Sequence, residues 1–183
     1  MSARSGTLPA VLRVDGHDKH PQAFSFAVEL PERQESLAVS GLLLFADWDV
    51  KFYRWNRVGP QKAPADWKEV LTGPVLDERK LPRVDFAWGT AAPSDRVPAD
   101  HFATVATAEI ELPAGSYRFQ TISDDGIRLS IDGAAVIENW TWHPPTEDVA
   151  TLKRSAGRHA FRIEHFEIDG VAQLQFSLVP ADQ

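Results

Sequence analysis

GSYRFQTISDDGIRLSIDG, residues 115–133, alternates apolar and polar side chains with a period of two. Tyr117 and Phe119 fall on one side of an extended backbone, with Arg118 and Gln120 on the other. Further on, Ile127, Leu129 and Ile131 share a face opposite Arg128 and Ser130. This alternation is the mark of half-buried strands. Asp132-Gly133 is a two-residue hairpin signal that turns the second strand back onto AVIENW. At the junction of the two strands stand Ser123, Asp124, Asp125 and Gly126. Neighbouring carboxylates there suit a turn, a cation site or an acid/base pair.

The same pattern continues on both sides. TVATAEIEL (104–112) runs into the turn Pro113-Ala114-Gly115. HAFRIEHF sets Phe161 and Ile163 against Arg162 and Glu164. AQLQFSLV sets Leu174, Phe176 and Leu178 against Gln173, Gln175 and Ser177. The 13 prolines and 11 glycines recur at the ends of the apolar runs, as punctuation between strands. Half-buried antiparallel strands with short turns predict an all-β, antiparallel β-sandwich. Helical spacing is confined to PADWKEVL (64–71), expected to form a short helix. Residues 56–66 and 72–99, rich in proline and charge, are expected to be long surface loops. AFSFAVEL and LAVSGLLLF read as an extra N-terminal strand pair. Residues 1–45 are therefore expected to be that pair, or the tail of a preceding domain, and residues 46–183 the sandwich.

Composition narrows the function. The chain has 183 residues, 43% hydrophobic and 25% charged, with a formal net charge of -7. An acidic chain without a basic stripe argues against nucleic acid or an anionic membrane surface as its main partner. With no cysteine, disulfides, thiolate chemistry and cysteine-ligated zinc are excluded. No run reaches the roughly 18 apolar residues of a membrane helix, so membrane insertion is not expected. The opening residues contain no apolar run of signal-peptide length.

An ordered set of motifs then supplies a resemblance. VDFAWG (84–89), VPADHFATVATAEIELPAGSYRFQTISDDGIRLSIDG (97–133), VIENW (136–140) and AGRHAFRIEHFE (156–167) precede an apolar closing strand. From about Trp48 to Pro180 the chain resembles the PA-fourteen domain, the lectin-like β-sandwich first described in anthrax protective antigen. No single piece is specific; the order of the set carries the likeness. Residues 1–40 lie outside it. Many members of that family are carbohydrate-binding modules attached to glycosidases, adhesins or other exported proteins, and others are structural or assembly domains. The resemblance thus implies a bacterial, secreted accessory module in an extracellular or periplasmic setting. It would bind a glycan or oligosaccharide and be covalently linked to a catalytic domain. The alternative is a structural or assembly sandwich with no sugar ligand.

The resemblance also implies a site. In an extended strand Asp124 and Asp125 would face opposite ways, so a kink is needed for both to meet one ion. In the sugar-binding branch of the family the matching Asp-Asp peptide is cis and both carboxylates hold one Ca²⁺. A second loop, here FEIDGVAQ (166–173), completes that site. Glu167 falls where yeast-adhesin relatives carry a ligating Asn, and Asp169 where a backbone carbonyl ligates. Glu167 is longer and charged, so it either ligates or hydrogen-bonds the Asp-Asp backbone. The expected metal site is therefore Asp124, Asp125, Glu167 and Asp169 with Ca²⁺, whose open positions meet vicinal hydroxyls.

Around it, ENWTWHPP offers a rim. Trp140 is expected in the core, Trp142 as a stacking surface for a sugar ring, and His143 as a shaping residue. His165 is expected to be a satisfied inward or edge histidine. DGHDKH, with His17 and His20, is read as a solvated polar turn in preference to a transition-metal site. Catalysis is not expected. Adjacent aspartates sharing an ion do not resemble the glycosidase pair, whose carboxyls stand about 5–9.5 Å apart across a bond. No GxSxG, HExxH or glycine-rich phosphate loop is present.

Overall fold

A computed structural model describes residues 20–30, 35–54 and 73–181. The described residues form twelve strands: β1 (Gln22–Leu30), β2 (Glu35–Leu43), β3 (Trp48–Arg54), β4 (Val75–Leu81), β5 (Asp85–Gly89), β6 (Phe102–Leu112), β7 (Gly115–Asp124), β8 (Ile127–Ile131), β9 (Ala134–Asn139), β10 (Thr146–Arg154), β11 (Gly157–Glu167) and β12 (Ala172–Pro180). The short helix expected at 64–71 and most of DGHDKH lie outside the described residues. His20 lies within them, with Nδ1 2.8 Å from a Glu111 carboxylate oxygen. No helix among the described residues is long and apolar enough to cross a membrane.

Two sheets face one another. One has the order β10-β7-β12-β5 and the other β4-β3-β6-β11-β8-β9. Every strand pair is antiparallel. The period-two alternation sends one face of each strand into the space between the sheets. Trp48, Phe52, Phe119, Phe161, Ile163, Leu129 and Leu174 are buried there, with edge-on aromatic pairs such as Trp48–Phe161 and Phe52–Trp88. This is an all-β antiparallel sandwich. Asp132 and Gly133 both take positive φ, 54° and 78°, as the tight β8–β9 hairpin requires.

β1 and β2 pair with each other along their full length and form a separate two-stranded sheet. Leu42, at the base of this hairpin, packs on the sandwich core together with Leu44 just beyond it. Higher up, Phe26 and Leu37 are exposed.

The expectation of an unbroken loop over 72–99 is corrected by β4 and β5. VLDERKL carries too much charge to read as a strand, yet β4 sits at the edge of the six-stranded sheet, where charge is tolerated and discourages further pairing. Its charges meet partners on β3: Lys80 approaches Asp49 at 3.1 Å, and Glu78 approaches Lys51 at 3.6 Å. The loop after β5 is tied back to the same strand. Asp77 accepts hydrogen bonds from Arg79 and Ser94, and Arg79 donates to the Pro93 carbonyl.

β7 belongs to the four-stranded sheet and β8 to the six-stranded one. Asp124, Asp125 and Gly126 are thus where the chain steps from one sheet to the other. The register places Glu167 opposite Phe102 and Asp124 opposite Gln173. One end of the sandwich therefore gathers the β7–β8 step, the end of β11, the start of β12 and the start of β6.

Candidate cation and ligand site

The step between sheets is built by close backbone approach. Asp125 N donates to the Phe166 carbonyl at 3.2 Å, and Phe166 N donates to the Gly126 carbonyl at 3.1 Å. A Cβ on residue 126 would run into the Phe166 ring, so this junction needs glycine. Trp140 packs against the same ring in a T-shaped arrangement, with centroids 4.6 Å apart. The Arg128 guanidinium lies over Trp140. Trp140, expected in the core, is half-buried and packs against the small cluster of Ala103, Phe166 and Ile168.

The Asp124–Asp125 peptide is cis. Asp124, Asp125 and Glu167 each bring a carboxylate oxygen within 4.8 Å of the others. All three residues are buried, at 6%, 0% and 0% exposure. Asp125 is partly satisfied: Ile168 N donates to one oxygen at 2.7 Å and His143 N to the other at 3.3 Å. Glu167 is different, since neither of its carboxylate oxygens has a hydrogen-bond partner among the described residues. No lysine or arginine there forms an ion pair with the trio.

Electrostatics follow from that geometry. Burial is the main cause that raises the Asp124 carboxyl above its usual range, partly offset by nearby His143. Burial pushes Asp125 up to about 7, opposed by the Ile168 hydrogen bond. Burial, with added repulsion from Asp125, Asp124, Asp100 and Asp169, pushes Glu167 up to about 10. Crowding buried carboxylates without a counter-charge is costly. A hard divalent cation is the group that would reverse the balance, and all-oxygen donors suit Ca²⁺. The unpartnered Glu167 oxygens fit such an ion: Asp124, Asp125 and Glu167 would hold it.

The remaining expected residues are distributed around this trio. Asp169 is exposed, its carboxylate outside the trio although its charge acts on all three members. Trp142 is exposed, at 43%, on the segment whose His143 amide holds Asp125. His165 is inward, as expected, but only one ring nitrogen is satisfied. Nε2 donates to the Asp124 carbonyl at 2.9 Å, while Nδ1 has no partner among the described residues. Burial lowers this histidine to about 4, keeping the ring neutral.

One contributor carried no signal in the sequence. Asp100 Oδ1 accepts a hydrogen bond from Gly170 N at 3.3 Å, and His101 N donates to the Ile168 carbonyl at 3.2 Å. The 97–101 segment thus clamps the loop that follows Glu167. VPADH was visible as part of the family-like run, but its partner lies 70 residues away.

A profile of the PA14 domain matches residues 49–183. The chain belongs to the PA14 domain family. Among curated proteins, the anti-sigma-I factor RsgI3 of Acetivibrio thermocellus is 30% identical over 88 residues, which is 47% of this chain and 14% of that protein. The chain thus spans a small part of that relative's length. Among solved structures, the PA14 domain of the MpAFP antifreeze protein superposes with a TM-score of 0.63 at 17% identity, over 76% of this chain and 84% of that one. A PA14 sugar-binding domain from an RTX adhesin gives 0.59 at 16% identity, over 75% and 91%. At these identities the PA14 likenesses establish the fold.

Proposed function

We propose that this PA14 domain is a non-catalytic carbohydrate-binding module that holds Ca²⁺ on Asp124, Asp125 and Glu167 and presents the ion's open positions to vicinal hydroxyls of a glycan. The observation carrying this reading is the buried trio of carboxylates within 4.8 Å, with Glu167 unpartnered. A structural turn at Asp124-Asp125 would not require Glu167 to be buried beside it. The sugar-binding domain of the RTX adhesin, which shares the fold, supports a glycan as the ligand class. Trp142 is exposed on the segment bordering the trio and supplies a stacking face for a sugar ring. In this reading Asp169 contributes through its backbone and its field, not its carboxylate.

The module's setting is an exported protein in which it accompanies another domain. The likeness to an anti-sigma factor bears on what the module is joined to and leaves its site unchanged. Neither aspartate is placed as a general acid, because an ion would hold both ionised.

Thermal unfolding with EDTA, then with millimolar Ca²⁺ and Mg²⁺, tests the ion. Calcium at a hundred times Kd stabilises by about 2.7 kcal/mol. A calcium-selective rise that disappears in the Asp124→Asn/Asp125→Asn double variant is expected. An equal response in that variant would sink the assignment. A glycan array with and without calcium then tests the ligand class.

A further inference from the structure

The β1–β2 hairpin is amphipathic along its length. The register sets Phe24 opposite Gly41, Phe26 opposite Val39 and Val28 opposite Leu37. Residues opposite one another in an antiparallel pair share a face, so these positions form one apolar, uncharged face. Ala23, Ser25, Ala27, Ala38 and Ser40 take the other. The apolar face is open to solvent: Phe26, Val28 and Leu37 are 41%, 39% and 57% exposed. It is also flat. The Phe24 ring lies where a Cβ on Gly41 would stand, and it stacks on Phe26 with centroids 6.0 Å apart and planes 18° from parallel.

A two-stranded hairpin alone is marginal in water, and this one has no third strand among the described residues. Its outer part therefore gains from a cover, and the cover that fits is another apolar, uncharged β face of the same size. The outward faces of the sandwich do not supply one. Gln120 and Gln175 stand on one sheet, Arg128 and Arg162 on the other. The exposed Val75, Val149 and Val179 lie on three different strands. The same hairpin face on a second copy does fit, and such self-complementarity is what a two-fold interface requires. Charge sets the direction. Glu29 is exposed near the tip, so tip-on-tip packing would bring two like charges together. Tip over base, with the two-fold near Phe26, holds the two glutamates about 20 Å apart along the strands.

We infer that the β1–β2 hairpin is a self-association surface, on which two copies of this chain pack apolar face to apolar face, tip over base. The base of the hairpin is at the far end of the sandwich from the carboxylate trio. His20 reaches Glu111, near the close of β6, whereas Glu167 is opposite Phe102 at the start of β6. Pairing leaves the cation end of each copy uncovered, so the dimer presents two such ends, the arrangement that gives avidity. The face is small beside the roughly 1,200–2,000 Å² of a stable complex, so the pairing is reversible and depends on concentration. It does not depend on what the cation end binds.

Sedimentation equilibrium of the full chain, from about 5 to about 500 μM, tests this in the range where small interfaces dissociate. The average mass is expected to climb from that of the monomer toward twice that value. Phe26→Lys with Leu37→Lys should weaken association at least about tenfold, while Ala27→Lys on the opposite face should leave it within about threefold. Because the chain has no cysteine, single cysteines read the direction without altering the rest of the face. Val39→Cys, at mid-face, should be captured as a dimer by a short bis-maleimide, and Ser36→Cys, toward the tip, should not. A monomer at every concentration overturns the proposal and assigns the face to a different partner. So does association that survives the double lysine variant, or capture through Ser36→Cys as efficient as through Val39→Cys.

Discussion

Replacing Glu167 by Gln separates what the carboxylate does for folding from what it does for an ion. In the metal-free protein Glu167 is buried without a partner, and its carboxyl titrates at about 10 against an ordinary 4.5. A raised carboxyl favours the folded state below pH 4.5 and loses that advantage as the pH rises toward 10, because the native state then holds a proton that the unfolded chain has released. At pH 7 the gap is about 2.5 pH units, or about 3 kcal/mol of destabilisation. Gln removes this cost but leaves a buried amide unpartnered, at about 1–3 kcal/mol. The metal-free variant is therefore expected to be between equal to and about 2 kcal/mol more stable than wild type. For a domain of this size that is a melting point unchanged or raised by up to about 8 °C. With calcium the order reverses: wild type gains about 2.7 kcal/mol at a hundred times Kd, while Glu167→Gln gains little. Differential scanning calorimetry at pH 7, with EDTA and then with calcium, reads both. A variant destabilised in EDTA that keeps its full calcium response would refute the reasoning, since Glu167 would then be structural and not a ligand.

Three further outcomes follow from other contacts. Gly126→Ala drives a methyl into the buried Phe166 ring; a loss of about 1–3 kcal/mol in urea unfolding is expected, partly recovered by adding Phe166→Leu, and unchanged unfolding would contradict the packing. Asp100→Ala removes the acceptor for Gly170 N; calcium affinity should fall about 10–100-fold with metal-free stability within about 0.5 kcal/mol, and an unaltered calcium isotherm would show that the clamp is idle. Asp132 and His159, away from the site, are paired at 2.7 Å. Their hydrogen bond lowers the aspartate from 3.8 and raises the histidine from 6.5. The aspartate's contribution is present above pH 3.8 and lost as pH falls through its lowered value. The histidine's is present below pH 6.5 and lost as pH rises through its raised value. Asp132→Asn should therefore destabilise most between pH 3.8 and 6.5, by less than about 1 kcal/mol because Asp132 is half exposed. Identical melting curves at pH 5 would dismiss the pair.

The parts of this fold legible in the sequence are those whose information is local. The strands read from the sequence largely bury one face, and so write their own alternation: Tyr117 and Phe119 inward, Arg118 and Gln120 outward; β10, TEDVATLKR, has no fully buried residue and goes unread. β4 escaped because an edge strand can carry Asp77, Glu78, Arg79 and Lys80 in succession; its pairing with β3 lies in backbone hydrogen bonds, which composition does not record. The site divides similarly. Asp124, Asp125 and Glu167 were found through motif order, not through any local pattern that joins residues so far apart. Asp100 and the His143 amide act through single contacts across 70 and 18 residues. No periodicity links such positions, and only the closed sandwich brings them together.

The place of β12 bears on how the molecule is made. It lies between β7 and β5, so the last of the described strands is an interior strand of its sheet. While the polypeptide is being synthesised, β5 has no neighbour on that sheet until residues 172–175 arrive, and β7 has only β10. Half of the sandwich therefore closes in one late event, with contacts spanning much of the chain, which is the topology of a slow folder. Until then, Phe86 and Trp88 on β5 wait without a strand beside them on that sheet, the interval in which exposed apolar side chains and an unpaired edge invite aggregation.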